Sequence, residues 1–317
     1  MGLLHLAAAV DQPGVYEAGP YVELARLAER GGLDFVTLDD SSARPGLDAP
    51  AVLARVAPAT HRVGLVPTLT EPSRVRAAVA TLDRVSRGRA GRWIDLSTGE
   101  GDPRRFGRRN TAPPDALWQE AGEGADGAAG LRGSGPSGVP RPPQGRPVRV
   151  VDATEGPARP AAARYADVAL VRVASSAQAR AVRERLRAEA AAFGRDPDGL
   201  RVLVSLLVDL GAGEHAAEPG HGGGGPRQTA QGPLYRGGPV DLAELIASWH
   251  QEGTADGFHL VPLEPHRDLE RLVNGTVALL QHRGLFRTFY PGSTLREHLG
   301  LARAVHQPRC PTPLSKD

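Results

Sequence analysis

Lysine and cysteine are almost missing from this sequence of 317 residues. The only lysine is Lys316 and the only cysteine is Cys310, and both stand close to the C-terminal end. Schiff-base chemistry and Walker-type phosphate binding need an amine held in a pocket or loop, so the lone terminal lysine argues against both. A single cysteine excludes disulfides, cysteine-ligated metal clusters and a thiol nucleophile in the core.

A strong net charge and long apolar runs are lacking as well. The chain has 38 basic and 36 acidic residues, which gives a net charge of +2 at pH 7. This balance gives no electrostatic reason to expect a nucleic acid or a membrane surface as partner. No apolar run approaches the roughly 18 residues that span a bilayer, and no basic segment precedes the N-terminal apolar stretch, as it would in a signal peptide. We therefore expect a cytoplasmic protein without nucleic-acid or membrane partners.

What the sequence does contain is a regular alternation of two patterns. Short, continuous apolar runs are typical of parallel strands that are covered on both faces. Amphipathic stretches with apolar residues at helical spacing lie between them, and Gly31 and Gly253 stand where two of these helices would end. The predicted strands are 3–10, 33–38, 62–68, 93–97, 148–152, 168–171, 200–208 and 257–261, and the clearest predicted helices are 21–30, 75–85, 177–192, 242–252 and 269–281.

This alternation of eight strands with roughly eight helices predicts an α/β fold, the (β/α)8 TIM barrel. A doubly wound sheet is the competing fold, but it would normally carry a G-x-G-x-x-G turn after an early strand, and none follows the first strand here. We expect a single barrel domain over residues 1–301. The Gly- and Pro-rich stretches near 119–147 and 211–239 are predicted to be irregular loops, and 302–317 a disordered tail.

Polar residues directly after each predicted strand are the candidates for a functional site, because barrel enzymes build their sites at the carboxyl ends of the strands. The same residue types also cap helices, which is the structural alternative for each of them. The set mixes hydroxyls and carboxylates with one arginine and contains no histidine. Its members are Asp11, Asp39, Asp40, Thr68, Thr70, Ser97, Thr98, Glu100, Asp152, Thr154, Arg172, Asp209 and Glu264.

These residues do not by themselves indicate one reaction. No H-x-H, H-E-x-x-H or G-x-S-x-G motif occurs, so we predict neither a histidine metal site nor a serine triad. A carboxylate site for Mg²⁺ from Asp39, Asp40 and Asp152 stays open. Thr154 begins a predicted helix, where it could bind a phosphate or act as an ordinary N-cap. The identity of any catalytic residue stays open as well.

Several longer stretches resemble one known family over most of the chain. They include LARLAERGGLDFVTLDDS at 24–41, TEPSRVRAAVATLDRVSRGRAG at 70–91 and, most specifically, HRGLFRTFYPGSTLREHLGL at 282–301. On these motifs the sequence resembles the luciferase-like flavin-dependent monooxygenases, in particular the branch of nitrilotriacetate, dibenzothiophene-sulfone and pristinamycin-type enzymes. It departs from them in having shortened insertion loops, namely after Thr68 and at 122–138.

The resemblance implies a luciferase-like barrel that binds FMN at its mouth. Reduced flavin would come from a separate flavin reductase and would react with O₂ to oxygenate a small organic substrate, and a homodimer is a family expectation. The alternatives are a deazaflavin-dependent oxidoreductase and a catalytically impaired homologue with a binding role. Matched to the family position by position, the implied cofactor-binding residues are Asp40, Thr68, Ser97, Thr98, Trp118 and Thr154, with Thr154 at the flavin phosphate.

Overall fold

The computed structural model of the protein describes residues 2–39, 47–69, 72–94, 143–211 and 225–302. Eight parallel strands form a closed barrel, because the last of them pairs both with the first strand and with the seventh. The predicted (β/α)8 barrel is therefore confirmed. The barrel strands are β1 His5–Ala9, β2 Phe35–Leu38, β3 Gly64–Leu69, β4 Gly91–Ile94, β5 Val148–Asp152, β6 Val168–Val171, β7 Arg201–Asp209 and β10 Gly257–Pro262.

Helices surround the barrel and bury one apolar face each against the strands. The buried face of α1 recurs at helical spacing, as in Tyr21, Leu24 and Ala28. Most of the apolar core lies between these helices and the sheet, and a second cluster fills the inside of the barrel. The helices are α1 Ala18–Arg30, α2 Ala49–Val56, α3 Pro72–Val85, α4 Arg159–Tyr165, α5 Ser176–Ala192, α6 Pro239–Gln251, α7 Pro265–Arg271, α8 Ala278–His282 and α9 Leu295–His298.

The predicted elements agree with the structure apart from three differences. The strand predicted at 93–97 begins earlier, at Gly91, which pairs with the start of β5, and residues 95–97 lie outside the described part of the chain. The helix predicted at 269–281 is interrupted, because a π-helical turn, Leu272–Val277, separates α7 from α8. Gly31 does end α1, and it is the next residue, Gly32, that adopts a positive φ of 75°.

The third difference concerns the loop predicted at 211–239. A hairpin of β8 Arg227–Thr229 and β9 Gly232–Arg236 stands there, so the prediction of an irregular loop is wrong for this stretch. The hairpin forms because β9 pairs in parallel with the end of β7 and buries Tyr235, a tertiary contact with no local signal. The rest of the predicted loops and tail lies outside the described ranges, namely residues 119–142, 212–224 and 303–317.

One local arrangement recurs three times at the bottom of the barrel, the end where the strands begin. Asp34, Asp167 and Asp256 each precede a strand by one residue. Each carboxylate accepts the backbone N–H of the second residue in a neighbouring strand, at 2.8 Å, 2.9 Å and 2.8 Å respectively. Each also pairs with an arginine, so the desolvated charge is compensated. These aspartates tie adjacent strands together where the barrel starts.

Residues 283–302, which we call the C-terminal segment, close this bottom end. Leu295, Leu299 and Leu301 are buried in the cluster that fills the inside of the barrel. Space for them comes from glycines at the strand starts. A Cβ added at Gly64 would lie 2.6 Å from the Leu295 side chain, and one at Gly91 would lie 3.4 Å from it. The segment is therefore a plug for the barrel.

Candidate active site

The opposite end of the barrel, the mouth, contains a pocket of about 160 Å³. Its walls come from the ends of seven barrel strands and from the turn of the β8–β9 hairpin. Because the barrel interior below is filled by the apolar cluster and the plug, the pocket opens only toward the mouth. The described residues that line it are Ala9, Asp11, Thr37, Asp39, Thr68, Trp93, Asp152, Arg172, Ser205, Leu207, Gln231, Gly232, Pro233, His259 and Val261.

A histidine on β10 forms the floor of the pocket. His259 Nε2 is 2.9 Å from Thr37 Oγ1, and His259 Nδ1 is 3.0 Å from Ser205 Oγ. Burial lowers the pKa of His259 to about 4, so the ring is neutral at physiological pH. One of its nitrogens then donates and the other accepts. The candidate set of residues after the strands contains no histidine, and it missed His259 because this residue points inward from within its strand.

Two polar groups of the pocket wall are left without hydrogen-bond partners among the described residues: the hydroxyl of Thr68 and the indole N–H of Trp93. Thr68 is only 2% exposed. The two residues are direct partners on β3 and β4, so their side chains stand side by side on the pocket wall. Trp93 also meets the ring of His259 edge-on, with ring centroids 5.7 Å apart. Buried donors without partners are costly, and these two line a pocket in which a ligand or a water molecule can accept from them.

Carboxylates occupy the rim of the pocket. Asp11 Oδ1 accepts the backbone N–H of Asp39 at 2.7 Å, which joins the ends of β1 and β2. Across the pocket, the carboxylate of Asp152 at the end of β5 forms an ion pair with the guanidinium of Arg172, which follows β6. This pair is partly open to solvent, with 46% of the Arg172 side chain and 19% of the Asp152 side chain exposed. It is therefore screened far more than the pairs at the bottom.

Thr154 follows β5 just outside the pocket wall. Its N–H donates to Asp152 Oδ1 at 2.9 Å, and its hydroxyl oxygen accepts the backbone N–H of Arg172 at 2.9 Å. Its carbonyl oxygen accepts from the Arg159 guanidinium at 2.9 Å. Thr154 thus links the ends of β5 and β6, and it does not cap α4, whose N-cap position is Ala158.

The β8–β9 hairpin covers one side of the pocket. Its turn is held by Thr229, whose hydroxyl donates to the Gly232 carbonyl oxygen at 2.6 Å and accepts the N–H of Gln231 at 3.2 Å. Gly232 has a φ of 128°, a conformation that L residues avoid, and a Cβ there would stand 3.7 Å from the Arg172 side chain. The hairpin turn and Arg172 are therefore packed against each other at the rim.

The structure brings together part of the site that was predicted from the sequence. Of the six implied cofactor-binding residues, Thr68 lines the pocket and Thr154 lies beside it. The other four lie outside the described part of the chain: Asp40, Ser97, Thr98 and Trp118. Among the wider candidates, Asp11, Asp39, Asp152 and Arg172 line the pocket, whereas Asp209 and Glu264 do not, and Thr70 and Glu100 are outside the described ranges.

Among the pocket residues that the sequence analysis missed are four polar or aromatic residues of the barrel strands: Thr37, Trp93, Ser205 and His259. All four lie within strands, whereas the search considered only residues after strands. Inward-facing positions repeat every two residues along a strand, but a continuous apolar run does not reveal which of the two faces points inward. Within the described ranges, no group of three or more histidine, cysteine or acidic residues could hold a metal ion.

The sequence model of the luciferase-like monooxygenase family matches residues 1–232, well over half of the chain. The chain belongs to that family. Nitrilotriacetate monooxygenase component A from Aminobacter aminovorans is 28% identical to this chain, with 89% of this chain and 90% of that protein covered. The aligned region spans 406 positions, more than the 317 residues of this chain, so the relative contains insertions that this chain lacks. The resemblance and the shortened insertion loops are thereby confirmed.

Solved structures have the same fold. EDTA monooxygenase from Chelativorans sp. BNC1 superposes with a TM-score of 0.77 at 21% identity, covering 95% of this chain and 99% of that one. The coenzyme F420-dependent tetrahydromethanopterin reductase of Methanopyrus kandleri is more distant, with a TM-score of 0.66 at 16% identity over 87% and 99% of the two chains. Family membership identifies the chain as an oxidoreductase of the luciferase-like monooxygenases, for which flavin is implied. No helix in the described ranges is long and apolar enough to cross a membrane.

Proposed function

We propose that the protein is a two-component monooxygenase that uses reduced FMN from a separate reductase, together with O₂, to oxygenate a small organic substrate. The unpartnered donors of Thr68 and Trp93, side by side on the pocket wall, are the observation that carries this proposal. An isoalloxazine ring is flat, largely apolar and bordered by carbonyl and ring-nitrogen acceptors, which such neutral donors suit. The relative that acts on nitrilotriacetate is named component A, which supports a separate reductase.

Reduced flavin, when bound, supplies the electrons with which O₂ is activated. The chain's own residues bind and shield the reactants. Thr68 and Trp93 donate hydrogen bonds to ligand acceptors, and neutral His259, held by a hydroxyl on each nitrogen, keeps the floor of the pocket fixed. The β8–β9 hairpin reduces the access of water from one side. In flavin enzymes the protein positions the reactants and excludes water from them, while the cofactor carries out the redox chemistry.

The remaining features of the proposal extend beyond the described residues. The proposed flavin site also includes Asp40, Ser97, Thr98 and Trp118, as the family resemblance implies. We also propose a single barrel domain over residues 1–301 followed by a tail, a cytoplasmic location, and a homodimer without nucleic-acid or membrane partners. The lone cysteine and the balanced charge support the location and the absence of polyanionic partners.

The test is an anaerobic titration with FMN, first oxidised and then photoreduced, followed by flavin absorbance and tryptophan fluorescence. We expect saturable binding that is tighter for reduced flavin. Trp93→Phe should bind flavin more weakly, because it keeps an aromatic side chain but removes the indole N–H donor. Trp249→Phe is the matched control, because Trp249 packs against Phe258 on the outer side of the barrel sheet. Flavin-dependent O₂ consumption with an added reductase and NADH would then justify a substrate screen.

Other outcomes would decide between the alternatives. No binding of either redox form of FMN would overturn the proposal and favour a binding role without flavin. Binding of coenzyme F420 in place of FMN would indicate a deazaflavin oxidoreductase. That cofactor has a long acidic tail, and among the described pocket residues the only basic side chain, Arg172, is already paired with Asp152. This arrangement favours FMN chemistry over deazaflavin chemistry.

A further inference from the structure

We propose that Asp152 excludes a flavin phosphate from the position beside Thr154, so that the protein recognises flavin through its uncharged ring and binds riboflavin as tightly as FMN. This inference rests on the proposed flavin-dependent function. It makes Asp152 a residue that determines cofactor specificity. It also means that the phosphate position implied by the family resemblance does not fit the residues present here.

Part of the backbone around Thr154 is already engaged within its own turn. The N–H of Thr154 donates to the Asp152 carboxylate at 2.9 Å. Further along, the N–H groups of Ala158 and Arg159 donate to the carbonyl oxygens of Glu155 and Gly156, and Pro157 has no N–H to offer. A phosphate site at a strand-to-helix turn works through several free N–H groups that point at the anion. Here the amide nearest the strand end already binds an anion, and that anion is a side chain of the protein.

The helix that follows offers little further attraction. Only a short 3₁₀ turn, Gly156–Ala158, directly follows the Thr154 turn, and α4 begins at Arg159 with seven residues. A helix dipole acts on charges within its first turn, and here that turn is separated from Thr154 by the 3₁₀ residues. The α4 start therefore does not replace the Thr154 amide, which is bound to Asp152.

Charge opposes a phosphate at the same position. The Asp152 carboxylate lies within hydrogen-bond distance of the Thr154 amide, and Glu155 follows it on the exposed side of the turn. Two like charges about 4 Å apart repel each other by about 1 kcal/mol in bulk water and by about 4 kcal/mol at the dielectric typical of a protein surface. Among the described residues, two guanidinium groups lie near Thr154: that of Arg172 is paired with Asp152 itself, and that of Arg159 donates to the carbonyl oxygens of Ala153 and Thr154. A phosphate would therefore have to displace Asp152 from both the Thr154 amide and Arg172.

The same contacts suggest why Asp152 is held in this place. Its two oxygens bind different groups, Oδ1 the Thr154 amide and Oδ2 the Arg172 guanidinium, so the carboxylate bridges the ends of β5 and β6. The backbone N–H of Arg172 adds a third link through the Thr154 hydroxyl. In effect the carboxylate occupies the position of an anionic ligand. Its removal is expected to free the amide and the arginine together.

The experiment compares the affinities of riboflavin and FMN for the same protein preparation, by fluorescence titration at fixed ionic strength. For the wild type we expect the two dissociation constants to agree within about threefold, and Thr154→Ala to leave their ratio unchanged. Asp152→Ala should favour FMN over riboflavin by about tenfold or more, since hydrogen bonds to a charged group are strong. Asp152→Asn, which removes only the charge, should give a smaller shift in the same direction.

Asp209→Asn is the matched control. Asp209 ends β7 at the same end of the barrel and pairs with Arg236 and Arg267 at 2.9 Å and 2.8 Å, but it does not line the pocket. Its loss should leave the ratio of the two affinities unchanged. Because each ratio is measured on one preparation, a partly unfolded variant affects both affinities equally.

Two results would overturn the inference. One is a wild type that binds FMN more than tenfold tighter than riboflavin; the other is an Asp152→Ala variant whose ratio equals that of the wild type. Both are distinct from a failure of the proposed function, in which neither flavin binds. Equal affinities in the wild type together with the shift in Asp152→Ala would establish Asp152 as the residue that rejects the phosphate.

Discussion

The two ends of this barrel are built from opposite kinds of contact. At the bottom, charges are buried and paired, as in Asp34 with Arg287 at 2.9 Å and Asp167 with Arg296 at 3.3 Å, and the Leu295 side chain fills the barrel. At the mouth, the ion pairs are partly exposed, and two buried donors have no partner within the described residues. The buried carboxylates at the bottom are paired with arginines of the chain itself, whereas the two unpartnered donors at the mouth line an open pocket.

This difference teaches where stability and function reside in the chain. The C-terminal segment supplies the bottom with apolar side chains and with arginines that pair with two of the three strand-tying aspartates, Asp34 and Asp167. The mouth is less well stabilised, because a buried hydroxyl without a hydrogen-bond partner lowers the free energy of unfolding until a ligand binds it. Barrel enzymes in general place activity at the carboxyl ends of their strands and stability at the other end. The predictions that follow test this division.

The largest expected effect comes from removing a buried carboxylate at the bottom. Asp167 is 3% exposed and lies near three arginines, at 3.1 Å from Arg146, 3.9 Å from Arg149 and 3.3 Å from Arg296. Asp167→Ala leaves these charges buried without a counterion, so the free energy of unfolding should fall by about 3–5 kcal/mol. Urea unfolding followed by circular dichroism measures this loss.

The matched change at the mouth is Asp152→Ala, which breaks a partly exposed pair. It should lower the free energy of unfolding by less than about 1 kcal/mol, because solvent screens such pairs. Equal losses for Asp167→Ala and Asp152→Ala would contradict the contrast between the two ends.

The second effect tests the plug. Leu295→Ala removes a fully buried side chain from the inside of the barrel, and the glycines beside it offer nothing to fill the cavity. The free energy of unfolding should fall by about 2–5 kcal/mol. Leu263→Ala, at the mouth end just after β10 and 39% exposed, should cost under about 1 kcal/mol. Thermal and urea unfolding of both variants provide the comparison, and a Leu295→Ala variant as stable as Leu263→Ala would rule out a plug role.

Much of the fold could be predicted from the sequence, because most strands and helices have a local pattern of apolar residues. Every barrel strand was found from a continuous apolar run, and α5 was found from the helical spacing of its apolar residues. The β8–β9 hairpin was missed because its strands are short and form only beside β7. The break in the last long helix was missed for a similar reason. The π-helical turn lies where Gly275 and Thr276 meet Pro239, which is again a tertiary contact.

The site was less predictable, for a physical reason. Residues after strands can be read from strand boundaries, which is how Asp152 and Arg172 were found. Residues inside the barrel depend on which face of each strand points inward, and a continuous apolar run does not reveal this. His259 illustrates the limit: the sequence places it in a strand, but only the closed barrel sets it between Thr37 and Ser205.

A third effect is the acid sensitivity of the bottom. Burial alone would raise the pKa of Asp167, but Arg146, Arg149 and Arg296 outweigh it and hold the pKa at about 2, below its ordinary 3.8. A lowered folded-state pKa stabilises the protein above pH 4, and this contribution is lost as the pH falls toward 2. It amounts to about 2 kcal/mol. The stability difference between the wild type and Asp167→Asn, measured by urea unfolding from pH 7 downward, should therefore narrow below pH 4. A constant difference would mean that Asp167 titrates normally.

The smallest expected effect on stability comes from removing one buried hydroxyl at each end of the barrel, and only the change at the mouth should affect ligand binding. The hydroxyls of Thr68, at the mouth, and Thr254, before β10 at the bottom, are both buried without partners within the described residues. Valine has the same shape without the hydroxyl, so each Thr→Val change should leave the free energy of unfolding unchanged or raise it by about 1 kcal/mol. Only Thr68→Val should also weaken flavin binding, by about fivefold to tenfold. A Thr68→Val protein that lost stability would mean that its hydroxyl is already bonded in the free chain. One that gained stability and still bound flavin normally would mean that the unsatisfied donor at the mouth serves no ligand.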